Sequence, residues 1–227
     1  MWSHRTLAHS LFPFKMILSS VIILACAAFQ VSFANPVATP APQPPTSLNG
    51  RAPSKWEHPG VLLDKKQLDF IKSKVDAKKE PWAGAFAAML NSSIASPTRQ
   101  PSPFVTVECG PTSTPNIGCT EERQDALAAY ANSVAWYITK DKKYAQKSID
   151  FMNAWAKTIQ GHSNSNALLQ TGWAGASWPR AAEIIRYTSN LWAAEDIATF
   201  ENMLRNVYLP TLIGGSNSNG NWELGKQ

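Results

Sequence analysis

The chain has 227 residues, 44% of them apolar and 16% charged, a composition that supports a packed core and excludes an intrinsically disordered protein. The formal net charge is +5; residues 1–34 hold two basic residues and no acid, which leaves 19 basic against 16 acidic side chains in the rest. So small and scattered an excess argues against nucleic acid as a partner, and it is compatible with an acidic polymer without demanding one.

Residues 1–34 read as a secretion signal. Lys15 precedes an apolar run over residues 16–33 (MILSSVIILACAAFQVSF), and Ser32-Phe33-Ala34 satisfies the small-x-small rule for cleavage. Ser19, Ser20, Gln30 and Ser32 interrupt the run, which weighs against a membrane span. The expected location is extracellular, or periplasmic in a bacterium, with no membrane attachment once the signal is removed. Cys26 would leave with the signal. Cys109 and Cys119 remain, an even pair that reads as a disulfide in a secreted chain; closing so short a loop stabilises by roughly 2–3 kcal/mol. Asn91-Ser92-Ser93 is a glycosylation sequon, informative in a eukaryotic secretory pathway. Residues 35–55 are proline-rich and nearly free of large apolar side chains, so they predict a solvated linker.

The folded part opens at Trp56. His58-Pro59-Gly60 predicts a turn, and Asp64 with Gln67 predicts a capping box ahead of a helix marked by Leu68, Ile71 and Val75. Pro81 suits the first turn of a second helix whose Trp82, Phe86, Ala87 and Leu90 share a face. Residues 91–119 predict a long ordered loop. Thr120 is placed to cap a third helix with Leu127, Tyr130, Ala131, Val134 and Ile138 along one side. Asp141 is placed to cap a fourth, with Tyr144, Ser148, Phe151, Trp155 and Ile159 inward. The very short connection between them makes an αα-hairpin. Residues 160–167 read as a loop carrying His162. In LQTGWAGASWPRAAEIIR, residues 169–186, Trp173 and Trp178 flank Gly175 in a stretch read as irregular. Pro179 there begins a helix continued by Ala181, Ile184 and Ile185. A last helix presents Ile197, Phe200, Leu204 and Val207 and stops at Pro210. The one β-prone run, residues 104–107, stands alone. The expected fold class is all-α, built of antiparallel helix pairs without a repeat of fixed period.

No G-x-S-x-G elbow, H-E-x-x-H pair, paired His/Cys spacing or glycine-rich phosphate loop occurs, so neither a cofactor nor a metal site is expected. Glu121, Glu122, Asp196 and Glu201 lie within helix faces and read as solvated. Trp173, Trp178 and Arg180 have two readings. Indole rings and a guanidinium at a helix mouth suit a sugar that bears a carboxylate. The alternative is a pair of core tryptophans with Arg180 paired to Glu183. The run SNSNGNWE, residues 216–223, is either an ordinary turn or a set of neutral amide donors. Such amides could hold a uronate carboxylate while the poorly acidic C5 proton is removed and charge flows into that carboxylate. A Tyr or His would take the proton in this β-elimination.

Four stretches in order, WEHPGVLLDKKQLDFIKSKV…EPWAGAFAAM, WYITKDKKYAQKSIDFMNAWA, LQTGWAGASWPRAAEIIRYT and NGNWEL, resemble the alginate lyase domain of secreted and periplasmic polysaccharide lyases. The resemblance implies an (α/α) toroid with a cleft over residues 56–227. It implies cleavage of a uronate-containing polysaccharide, alginate- or glucuronan-like, by β-elimination, with a carboxylate-neutralising amide at Asn221. It further implies sugar subsites, for which Trp173, Trp178 and Arg180 match and to which Asn219 and Trp222 are adjacent candidates. Family members continue beyond NGNWEL through helices that carry proton-transfer groups. This sequence stops at Gln227, so an incomplete toroid is expected. His162, the one imidazole outside the signal and the opening turn, is the remaining catalytic candidate, set against the reading of a surface-loop histidine. The partner expected is an acidic polysaccharide, and the chain is expected to act as a monomer. Two alternatives remain: a non-catalytic carbohydrate-binding remnant of such a lyase, and a helical module that binds another protein.

Overall fold

The computed structural model describes residues 55–213. The signal, nearly all of the linker, and the candidates Asn219, Asn221 and Trp222 lie outside the described residues.

Local chemistry starts several of the helices. Helix α1 (Lys65–Asp76) opens with the expected capping box: the Asp64 carboxylate accepts from Gln67 N at 2.7 Å, and Gln67 Oε1 accepts from Asp64 N at 3.0 Å. Helix α2 (Trp82–Leu90) follows Pro81. Helix α3 (Cys119–Thr139) begins one residue before the expected Thr120, with Gly118 at its N-cap. Gly118 has φ +76°, and a Cβ there would lie 2.7 Å from the Phe104 ring, so both backbone and space require glycine. Thr120 is served instead by Asn116, whose Oδ1 accepts its N–H and whose Nδ2 donates to its hydroxyl. Asp141 caps α4 (Lys142–Ala156) through Lys143 N at 3.1 Å, as anticipated.

The anchor stretch differs from its expected form. Residues Ala167–Thr188 make one continuous helix, α5, with Pro179 inside it. Helical geometry then separates the two tryptophans. Positions five apart point about 140° away from each other, and accordingly Trp173 is 46% exposed while Trp178 is fully buried. Helix α6 (Ala194–Met203) runs on through a π-helical turn (Leu204–Tyr208) into α7 (Leu209–Ile213), past Pro210 rather than stopping there. Pro210 lies just after the π-helical turn, where the backbone ladder already departs from the regular α pattern.

Two helical hairpins lie side by side. In the first, α3 and α4 are antiparallel: Ser148 Oγ donates to Ala129 O at 2.8 Å, and Trp155 Nε1 to Asp125 Oδ2 at 2.8 Å. In the second, α5 and α6 are antiparallel and joined by Trp178 to Tyr208 and Arg186 to Glu201. Helices α3 and α5 run parallel, bonded near their starts through Arg123 and Gln170 and near their ends through Trp136 and Thr188. The core between the hairpins holds Phe151, Met152, Trp155, Trp178, Ile185, Phe200 and Tyr208. Its aromatic rings meet tilted or edge-on at centroid distances of 5.4 to 6.3 Å. Helix α1 sits on the far ends of α3 and α5 by burying Leu68 against Tyr137 and Ile184.

Helix α3 buries a different face from the one its large apolar side chains suggest. Glu122, Asp125, Ala126, Ala129, Asn132 and Ser133 are buried, and Leu127 is exposed. Small residues let two neighbouring helices approach on that side.

The described residues are mostly helical, as expected, with one small sheet that the sequence reading lacked. Strand β1 (Thr106–Cys109) pairs antiparallel with β2 (Asn116–Ile117) and parallel with β3 (Gly161–Ser163), in register Val107 to His162. The Cys109–Cys119 disulfide ties β1 to the first residue of α3. Among the described residues no helix is long and apolar enough to cross a membrane.

Candidate functional site

The first turn of α3 projects Glu122 inward and Arg123 outward, and the candidate site grows from that divergence. The sequence reading made Glu122 a solvated acid; its side chain is in fact wholly buried, because the turn packs under β3 and α5. A buried carboxylate requires donors, and three surround this one. His162 Nε2 donates to Oε1 at 2.8 Å, the Tyr208 hydroxyl donates to the same oxygen, and Gln170 Nε2 donates to Oε2. Tyr208 in turn accepts from Trp178 Nε1 at 3.0 Å. Burial, and then the Glu122 charge beside it, push the Tyr208 phenol well above the usual tyrosine range.

His162 is therefore neither a loop histidine nor an open base. It lies on β3 with its side chain fully enclosed and packed edge-on against Tyr208 at 5.0 Å. Its other ring nitrogen, Nδ1, is buried without a hydrogen-bond partner among the described residues. Trp178 is likewise corrected from a sugar platform to a core side chain, since its whole ring is enclosed and its N–H is engaged.

Asp125, one turn further along α3, is the second buried acid. It accepts from Arg99 Nη2 at 2.9 Å, Ser102 N at 2.7 Å and Trp155 Nε1 at 2.8 Å, which fastens the long loop after α2 to the core. Asp196 and Glu201 make surface ion pairs with Lys157 and Arg186.

The outer face of α3 and α5 is open. Arg123 lies 5.3 Å above the Trp173 ring, and its Nη1 donates to Gln170 Oε1 at 2.7 Å. One heptad along each helix come half-buried Tyr130 and Arg180. Burial raises the Tyr130 phenol above the usual tyrosine range, and the Arg180 charge draws it partly back. Glu183 does not pair with Arg180. Its Oε2 accepts from His58 Nδ1 at 2.9 Å and Gly60 N at 3.0 Å, and the His58 ring stacks on Tyr187 at 4.0 Å. The opening segment is thus strapped onto α5 and encloses a cavity of about 460 Å³ lined by Trp56, His58, Leu62, Gly175, Pro179 and Arg180. Arg180 makes no ion pair among the described residues. Asn91 is exposed at the end of α2. Among the described residues no group of three His, Cys, Asp or Glu side chains is placed to hold a metal ion.

Arg123, Tyr130 and Gln170 were not anticipated from the sequence. The signal available was the stripe of small residues, Ala126 and Ala129, that shares a helix face with Glu122 and Asp125 and marks that face as packed.

Parallel helices with a basic and aromatic open face over a buried polar network define a helical-hairpin protein. Residues 111–219 match the family model described as alginate lyase, the family that the motifs resemble. That segment includes Glu122, Arg123, Tyr130, His162, Gln170, Trp173, Arg180 and Tyr208, and it reaches Asn219. No curated protein matches the chain.

Proposed function

We propose that this chain is a polysaccharide lyase that cleaves a uronate polymer, alginate- or glucuronan-like, by β-elimination. In this reading its helix pairs are part of an (α/α) toroid, and the open face of α3 and α5 belongs to the cleft. The observation that supports it most is the coincidence of the alginate lyase match with a face bearing Arg123, Tyr130, Trp173 and Arg180.

A base removes the C5 proton of the uronate, the electron pair forms the C4–C5 double bond, and the C4–oxygen bond breaks. A donor returns a proton to the leaving oxygen. Charge builds on the uronate carboxylate during the first step, and the Asn221 amide stabilises it there by hydrogen bonding. Asn219 and Trp222 contact the sugar next to it. His162, the catalytic candidate from the sequence, would serve this reaction from within the buried network, with its ring held by Glu122. Secretion after removal of residues 1–34, carbohydrate on Asn91 in a eukaryotic host, and a monomeric state belong to the same reading.

The test is incubation of the purified full chain with alginate and with glucuronan while the ultraviolet absorbance of the unsaturated uronate product is followed. Absorbance should rise, and Asn221→Ala should abolish turnover more than it weakens binding. Polymer binding without turnover would leave a non-catalytic carbohydrate-binding protein. No binding of either polymer would overturn the proposal.

A further inference from the structure

We propose that Arg123 is a uronate-carboxylate-binding residue and that Glu122 and Gln170 are positioning residues that hold its guanidinium over Trp173. This rests on the reading of the chain as a uronate-acting protein.

The geometry runs outward from the core in three steps. Glu122 is fixed by His162 and Tyr208. It fixes Gln170, whose Nε2 donates both to that carboxylate and to Cys119 O at 3.0 Å. With both donors of the amide engaged inward, Oε1 is the end left to accept, and it takes Arg123 Nη1 at 2.7 Å. The amide orientation is therefore set by its partners and not free to flip.

The result is a guanidinium with fixed position and uncommitted charge. Arg99 and Arg186 are each tied to a carboxylate, Asp125 and Glu201. Arg123 is bonded to a neutral amide, and the acid next to it in sequence is enclosed by three other donors. A guanidinium carries five N–H groups in a planar fork that matches a carboxylate. One is used by Gln170, and among the described residues the others have no acceptor. Beneath it the Trp173 indole is 46% exposed and offers ring surface beside the charge. A carboxylate attached to a flat-faced sugar ring satisfies both groups together; a neutral sugar would satisfy only the indole.

The experiment measures calorimetric affinity of the full chain for a uronate oligosaccharide and for the same oligosaccharide with its carboxyls reduced. Arg123→Gln should weaken uronate binding by about tenfold or more, the loss of a charge-assisted hydrogen bond, and leave the reduced ligand unaffected. Arg123→Lys, with charge but no fork, should fall between. For the positioning role, Gln170→Met should weaken uronate binding in the native background and add nothing in the Arg123→Gln background; Gln170→Asn replaces it should the methionine variant not fold. Equal losses in both backgrounds would make Gln170 merely structural and overturn the positioning claim. Native chain that binds or cleaves uronate while Arg123→Gln behaves identically would overturn the inference and leave the lyase reading standing. Native chain that neither binds nor cleaves would overturn both.

Discussion

His162 and Glu122 meet at 2.8 Å with both side chains fully withdrawn from solvent. They come from a strand and a helix start 40 residues apart, and Tyr208 closes on the same oxygen from 86 residues away. One carboxylate therefore holds together a strand, both hairpins and the turn that bears Arg123.

Removing that carboxylate should damage the fold far more than removing its neighbour. Glu122→Ala removes the acceptor of three buried hydrogen bonds, from His162, Gln170 and Tyr208, and it should cost about 3–5 kcal/mol. Glu121→Ala, on the half-buried side of the same turn, should stay within about 0.5 kcal/mol. Urea unfolding of the two variants gives the comparison, and equal losses would contradict the burial of Glu122.

Alkali should unfold the protein partly through Tyr208. Its phenol is held well above the ordinary value by burial and by Glu122, so the folded state keeps the proton that the unfolded chain releases near pH 10. The associated stability is complete below about pH 10 and declines as pH rises toward the folded value. Tyr208→Phe should lower stability at neutral pH and flatten its decline above pH 10, because Phe has no proton to lose. Thermal midpoints between pH 8 and pH 11 measure this; parallel curves for the two proteins would refute it.

The two tryptophans of α5 should separate stability from binding. Trp178→Ala empties the centre of the aromatic core and should cost about 3–5 kcal/mol. Trp173→Ala should change stability by less than about 1 kcal/mol while weakening uronate binding. Unfolding curves and calorimetric titration on the same two samples decide it.

The hairpins were legible because capping and periodicity speak locally: Asp64 with Gln67, Asp141, and the inward Ser148, Phe151 and Trp155 are found as read, while Tyr144 is only half-buried and Ile159 is buried just beyond the end of α4. The α3 face was not, because periodicity weighs large apolar residues and this helix buries small and acidic ones between two close neighbours. Continuity of α5 was hidden by Pro179, whose penalty is local and is outweighed by packing on both sides. The sheet escaped because β2 and β3 are two and three residues long and pair across the chain, leaving no local pattern. In the site, Trp173 and Arg180 stood out in the sequence as subsite candidates, but the cation over the Trp173 ring is Arg123. Arg123 did not stand out, since its significance comes from Gln170, 47 residues away.

Pro179 within α5 carries one more implication. A proline has no amide hydrogen to close the turn onto the carbonyl four positions earlier, and that carbonyl belongs to Gly175. Gly175 and Pro179 both line the cavity beneath the opening segment. Helix α5 therefore lacks one rung of its backbone ladder where it forms the wall of that cavity, and no side-chain replacement at Gly175 can restore it.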